Sequence, residues 1–284
     1  VFTTERHLKS NILKNNFNLK NYFDKKKIKY FKLIRINDLY KSKYRKHFTK
    51  KMIGLSLSSD HIFTQKEINF FDSKLYNIHG SYLPDMRGAG GFTWNILMQK
   101  YTSGVTVHKI NTNIDEGDII LQKKYVFPIN IRNSLEKMQK FASIKENKMA
   151  KQFVKMILNK KKMISKKQSN NLSSSWGRLN TYKDAWINWN WEIKDILTFI
   201  EAFSKPYCGA STIIENKRIF IFKAKILKSK LKFHPFQYGM VFKIDKNSLY
   251  VACNKGILKI LDYKFSSSKK KHDFFLNKKF INKN

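Results

Sequence analysis

At 284 residues the chain is long enough for one large domain plus a small one, and it can bury a substantial core. A hydrophobic fraction of 42% and an aromatic fraction of 14% belong to a globular protein and argue against disorder. The formal charge of +37 would attract nucleic acid or anionic membrane without any specific site, but the lysines are spread along the whole chain among abundant Asn, Ile and Phe. Codon bias toward A and T produces the same profile, so charge alone decides nothing. No uncharged apolar run reaches the roughly 18 residues of a membrane span, and the N-terminus has no charged-then-apolar leader pattern. Two cysteines, Cys208 and Cys253, are too few for a disulfide framework and lack metal-site spacing, which makes a reducing, cytoplasmic setting the default.

In chain order, Val1-Phe2-Thr3-Thr4 reads as a strand end feeding a helix from Arg6 to about Leu13. Further strands are expected within Ile28–Leu33 and Met52–Leu57, the latter a continuous apolar run of the buried parallel type. A short helix over Gln65–Phe71 precedes a strand at Leu75-Tyr76-Asn77-Ile78. Side chains alternate faces along a strand, so Asn77 and His79 point the same way at its C-terminal end. In open α/β sheets that end is where ligands bind. A Gly- and Pro-containing loop leads to a helix starting at Phe92-Thr93-Trp94, then to a strand over Gly104–Ile110. The loop Asn113-Ile114-Asp115-Glu116-Gly117-Asp118 and the apolar run Ile119-Ile120-Leu121 follow. Strands alternating with helices predict an α/β, doubly wound, mostly parallel sheet for residues 1–159. An amide, an imidazole and a carboxylate gathered at one sheet edge make a plausible polar site, although spacing does not prove a catalytic trio.

Leu135, Met138, Phe141, Met149, Phe153 and Ile157 recur at helical spacing and predict a long helix that packs back on the sheet. Residues 160–175 are polar, charged and Ser-rich, which marks a linker, read either as a solvated tether or as a tRNA-contacting stretch. A second domain spans 176–265, with a helix carrying Ile193, Ile196, Leu197, Ile200 and Phe203 on one face. Short β patterns from Thr212 to Leu261, with Asn- and Gly-containing turns between them, predict a small barrel. Trp186, Trp189 and Trp191 read either as a base-stacking platform or, more commonly for such clusters, as core. Residues 266–284 read as a basic, mobile tail.

The run Asn77-x-His79-x-Ser81-x-Leu83-Pro84-x-x-Arg87-Gly88, then Gly104-Val105-Thr106, then Asp115-x-Gly117-Asp118-Ile119-Ile120 resembles the signature of the folate-dependent formyltransferases. The spacing from His79 to Asp115 fits that family. Residues 176–265 resemble the OB-like C-terminal barrel of its methionyl-tRNA formyltransferase branch and of some amino-sugar N-formyltransferases. Val1-Phe2-Thr3 resembles the second strand of the formyltransferase fold, which implies either that a first strand and helix are missing or that this member is short.

The resemblance implies an enzyme that transfers a formyl group from 10-formyltetrahydrofolate to a primary amine, without a metal. Asn77 and His79 would donate to the developing oxyanion, and Asp115 would orient His79 and act as general base. The formyl-folate would sit near Ser81, Tyr82, Leu83 and Pro84, with its pterin near His61, Ile62, Phe63, Asn113 and Ile114. Tyr82 and Gly80 stand where the family more often has Leu and Pro. Arg87 and Gly88 would contact the acceptor, although Arg87 serves equally well as a loop buttress.

Each residue also has an ordinary reading. Asn77 can satisfy loop backbone, His79 can be a hydrogen-bonded structural histidine, Asp115 can be part of a turn, and His108 reads as structural. A metal set from His79, His108, Asp115 and Asp118 is conceivable from residue type but foreign to the family's chemistry. The segment Gly88-Ala89-Gly90-Gly91-Phe92-Thr93-Trp94 resembles the small-molecule branch, whose acceptor is a nucleotide-linked amino sugar. The attached barrel and basic linker suit initiator tRNA instead. A third reading is a non-catalytic nucleic-acid-binding protein with a degenerate transferase domain.

Overall fold

The computed structural model describes residues 1–9, 18–33, 44, 52–57, 59, 61–169, 171, 173–245, 248–266 and 275–283. They divide into one unit of Val1–Tyr76 with Ile110–Thr112, and a second of Asn77–Lys109 with Asn113–Asn284. Among the described residues, no helix is long and apolar enough to cross a membrane.

In the first unit, β1 (Phe2–Thr4) runs directly into α1 (Glu5–Lys9), and α2 (Leu19–Lys25) leads to β2 (Phe31–Leu33). Residues 10–13 of the helix expected over Arg6–Leu13 lie outside the described residues. β1 and β2 pair in parallel with Phe2 opposite Phe31, and those rings stack at 5.1 Å. β3 (Gly54–Leu57) lies beside β4 (Leu75–His79). α3 (Gln65–Phe70) between them opens on a capping box: Thr64 N–H donates to Glu67 Oε2 at 2.7 Å and Glu67 N–H donates to Thr64 Oγ1 at 3.4 Å. Phe63, Ile68, Phe71 and Leu75 form one apolar cluster of this unit, and Leu33 and Tyr44 another.

In the second unit the end of β4 continues through β5 (Arg87–Gly88) and α4 (Gly91–Leu97) to β6 (Thr102–Lys109) and β7 (Ile119–Val126). β6 lies between β4 and β7 and pairs antiparallel with β7. Val105, Thr106, Val107 and His108 are all buried, as in a strand covered on both faces. α5 (Leu135–Leu158) is capped by Ser134 and buries Leu135, Met138, Ala142, Met149 and Phe153. Its early turns share one hydrophobic cluster with α7 (Ile193–Ala202) and the C-terminal sheet.

That sheet contains β9 (Ala210–Ile214), β10 (Lys217–Leu227), β11 (Val241–Asp245), β12 (Ser248–Cys253) and β13 (Gly256–Phe265), in the order β11-β12-β13-β10-β9. Every pairing is antiparallel. The short-strand pattern therefore gives an antiparallel sheet as expected, with β11 and β9 at the two ends of the order of its described strands.

Two segments behave differently from their sequence reading. Residues 160–175 do not float as a tether: Lys166 exchanges backbone hydrogen bonds with Ile119 at 2.8 and 2.9 Å, and β8 (Ser175–Trp176) pairs in parallel with β5. The end of the chain is likewise anchored. Phe275 and Phe280 are buried, Phe280 stacks on Trp189 at 5.1 Å, and residues 279–281 bridge Met240 beside β11 and Ile213 in β9. Both edges of the sheet thus receive backbone partners from the tail, the usual remedy for an unpaired edge. Basic composition concealed this because two aromatic anchors outweigh the intervening lysines. The three tryptophans do not form one platform: Trp189 is core, Trp191 packs edge-on against Phe199 at 5.2 Å, and Trp186 lies under Arg218 at 4.2 Å.

Truncating Phe280 to Ala should therefore cost about 3–5 kcal/mol of unfolding free energy, as for other buried aromatics. Urea denaturation of the full chain measures it, and a loss below about 1 kcal/mol would contradict the docking of the tail.

Candidate active site

Three segments of the second unit supply the polar cluster. β4 ends with Asn77 and His79 facing one side, β6 brings Thr106 and His108 by the same two-residue period, and the loop after β6 brings Asp115. Asn77 Nδ2 donates to Asp115 Oδ1 at 3.4 Å and lies 3.3 Å from His108 Nε2. His79 Nδ1 lies 3.4 Å from Asp115 Oδ2, and His108 Nε2 lies 3.3 Å from Oδ1. Gly88 N–H donates to Oδ2 at 3.0 Å. Asp115 is thus the hub of the cluster.

The outer ring nitrogens fix the tautomers. Carbonyl oxygens only accept, so His79 Nε2 carries the hydrogen it gives Met86 O at 3.0 Å, and His108 Nδ1 carries the one it gives Lys109 O at 2.7 Å. In their neutral forms both rings then turn a lone pair toward the carboxylate. With a neutral ring, the His79–Asp115 contact is short of one proton.

Burial alone would push the Asp115 carboxyl up, but hydrogen bonding to His108, the charge of His79 and the Gly88 N–H together bring it down to about 2. Burial lowers His79 below the ordinary 6.5; Asp115 and the Met86 carbonyl offset part of that, and His108 adds to it. At neutral pH the carboxylate is charged and His79 is neutral.

The loops are held firmly. Asp115 adopts a left-handed backbone with φ 54°, a conformation that persists only where surroundings enforce it. Two residues on, a Cβ at Gly117 would come within 1.9 Å of Lys109 O, so only glycine fits. The turn after β4 is fixed by Thr106, whose hydroxyl donates to Ser81 O at 2.7 Å and accepts from Leu83 N at 3.2 Å. Gln122 Nε2 adds a hydrogen bond to Leu83 O at 2.6 Å. Ser81 itself donates to Asp85 O at 3.0 Å.

The remaining sequence candidates are distributed as follows. Tyr82 lies beneath Lys124 Nζ at 4.4 Å and close over Gly104, where a Cβ would meet its side chain at 2.8 Å. Leu83 is buried and Pro84 half-buried. The Arg87 guanidinium donates to Glu116 Oε1 at 2.9 Å and to Gln168 Oε1 at 3.0 Å, which makes it a loop buttress. Asn113 Nδ2 donates to Glu116 Oε2 at 2.8 Å, and Ile114 is exposed. Asp118 turns to Ser165, 3.2 Å away, and does not join the cluster. His61, Ile62 and Phe63 belong to the first unit, where His61 pairs with Glu67 at 3.0 Å and Phe63 is core.

His108, read from the sequence as structural, lies in the cluster beside Asn77 and Asp115. Sequence reasoning missed Gln168 and Ser174 altogether. Ser174 accepts from Met86 N at 3.0 Å and donates to Asp85 Oδ1 at 2.8 Å. A Ser- and Lys-rich stretch gives no sign of such contacts.

Residues 58–157 match the family model described as formyl transferase, and residues 180–278 match the formyl transferase C-terminal domain. The methionyl-tRNA formyltransferase of Blochmanniella floridana is 32% identical over 200 residues, covering 69% of this chain and 60% of that one. The bifunctional polymyxin resistance protein ArnA of Wigglesworthia glossinidia brevipalpis is 29% identical over 191 residues, 67% of this chain and 28% of that protein. The chain therefore spans at most about three-fifths of the length of these relatives. Among solved structures, the N-formyltransferase of Helicobacter canadensis, in complex with folinic acid and dTDP-3-aminofucose, aligns with a TM-score of 0.62 and 24% identity, covering 87% of this chain and 83% of that one. At that identity the likeness is one of fold: an N-terminal parallel sheet followed by a C-terminal antiparallel sheet. With both halves of the family matched in order around this cluster, the chain belongs to the formyltransferase family.

Proposed function

We propose that the protein transfers a formyl group from 10-formyltetrahydrofolate to a primary amine, and that the amine belongs to a nucleotide-linked amino sugar. The observation that carries the reaction is the meeting of Asn77, His79 and His108 on the Asp115 carboxylate, each within 3.4 Å. A neutral amine attacks the formyl carbon, giving a tetrahedral intermediate with an oxyanion. Asn77 and His79 are the proposed donors to that oxygen, each exchanging a present partner for it, Asp115 Oδ1 or His108 Nε2 for the Asn77 amide and Met86 O for the His79 Nε2–H, and losing one such donor costs about 2.7–4 kcal/mol.

The attacking nitrogen must shed a proton. A carboxylate held near 2 is a poor terminal acceptor by itself, whereas the lone pair on His79 Nδ1, facing Asp115 Oδ2, can receive the proton and leave an imidazolium–carboxylate pair. His79 is thereby the general base, and Asp115 stabilises the imidazolium that forms. Collapse of the intermediate breaks the bond from the formyl carbon to the folate N10, which takes up a proton and departs as tetrahydrofolate. Ser81, Tyr82, Leu83, Pro84, Asn113 and Ile114 would flank the folate, and Gly88 the acceptor. No metal is called on for any of these steps.

The glycine loop supports the small acceptor. Gly90 holds φ 86°, and Gly91 has open space where a side chain would stand, immediately beyond Gly88. The Helicobacter canadensis enzyme of the same fold was solved with such a sugar. A second reading, methionyl-tRNA as acceptor, is supported by the 32% identical relative and by the C-terminal sheet, which we read as OB-like. Incubation with 10-formyltetrahydrofolate and either dTDP-3-aminofucose or methionyl-tRNA, read by mass spectrometry, separates them. We expect the mass gain of one CO on the sugar nucleotide; gain on methionyl-tRNA alone would transfer the assignment to tRNA.

A pH profile tests the chemistry. Since His79 must be unprotonated, kcat/KM should rise with pH through a midpoint below 6.5. Asp115→Asn should lower kcat about 10²–10⁴-fold and move that acid limb to lower pH, because the carboxylate that raises the His79 pKa is gone. Parental kcat in this variant would contradict the assignment.

A further inference from the structure

We propose that Gln168 is a positioning residue for formyl transfer, its carboxamide fixing the loop that carries Asp115. Its Nε2 donates to two backbone carbonyls of that loop, Asp115 O and Gly117 O, both at 2.8 Å. Its Oε1 accepts from Arg87 Nε at 3.3 Å and Nη2 at 3.0 Å. The partners dictate the amide's orientation: two carbonyls require donors and a guanidinium requires an acceptor. Arg87 in turn holds Glu116, the neighbour of Asp115, at 2.9 Å. One side chain therefore ties the Asp115 loop to the Arg87–Gly88 strand, whose Gly88 N–H donates to the Asp115 carboxylate itself.

Such a clamp has a definite task. Asp115 sits at φ 54°, so its carboxylate direction depends on outside contacts and not on local preference. Gly117 is pressed against Lys109 O and leaves the loop no slack on that side. The opposite side is closed by Gln168, which comes from the segment running between α5 and β8. That segment also holds Met86, the carbonyl partner of His79, through Ser174. Displacing a reacting group by about 1 Å is enough to cost about 10²-fold in rate. Glutamate at 168 could still serve Arg87, but it would set oxygen against two carbonyls.

This inference rests on reading Asp115 as the partner of His79 in proton transfer, and the test separates the two. Gln168→Glu, Gln168→Ala and Asp115→Asn are compared with the parent as full chains. The readouts are kcat and KM, using 10-formyltetrahydrofolate with whichever of dTDP-3-aminofucose and methionyl-tRNA the parent formylates, and the His79 imidazole titration by NMR, which needs no turnover. Gln168→Glu should lower kcat about 10–10²-fold with little change in the KM for folate, and should move the His79 midpoint down as the carboxylate swings away. Gln168→Ala should act in the same direction and stands in if the glutamate variant does not fold. If both Gln168 variants keep the parental kcat and the parental His79 midpoint while Asp115→Asn is inactive, the Gln168 proposal is wrong and the Asp115 reading stands. If Asp115→Asn is itself fully active, the Asp115 reading is the one that fails.

Discussion

A half-buried carboxylate sets the terms for this structure. Removing Asp115 from water would ordinarily favour its neutral form; the Asn77 amide and the Gly88 N–H donate to its carboxylate from separate segments, and the rings of His79 and His108 stand within 3.4 Å of it. Because the two rings spend their outer hydrogens on the Met86 and Lys109 carbonyls, they face the carboxylate as acceptors. The site holds its charge and keeps room for a proton on His79 Nδ1.

Much of the surrounding architecture serves that arrangement. β6 is buried along its length, so Thr106 and His108 are presented at fixed heights, and Thr106 pins the turn following β4. The glycine at 117 allows the Asp115 loop to lie flush on Lys109. Gln168 and Ser174, between α5 and β8, contact the loops that carry Asp115 and Met86, and one hydrophobic cluster runs from α4 and α5 into the C-terminal sheet. These loops and the C-terminal sheet are parts of one packed unit.

The sequence was most informative where local periodicity and chemistry coincide. Two-residue alternation along β4 placed Asn77 and His79 on one face, and the helical spacing of Leu135, Met138 and Phe153 located α5 with its buried stripe. The signature linking β4 to Asp115 identified the hub. His108 obeys the same alternation as Thr106, but without knowing which face of β6 met the loops its direction could not be read. Gln168 and Ser174 were illegible for another reason: long-range side-chain contacts leave no periodic trace, and a Lys- and Ser-rich stretch looks solvated by composition. The tail was misjudged on similar grounds, since Phe275 and Phe280 anchor it among lysines. Strand order also lies beyond local pattern, so short β segments predicted antiparallel sheet correctly but not how its edges are covered.

The account depends on Asp115 being ionised within its ring of donors. The direct measurement is the NMR titration of the Asp115 side-chain carboxyl carbon in the folded protein. The structure predicts a midpoint of about 2, well below the ordinary 3.8. A midpoint at or above 3.8 would mean that burial wins over the donors, that the carboxyl is not the charged hub described, and that the proton-transfer scheme built on it is wrong.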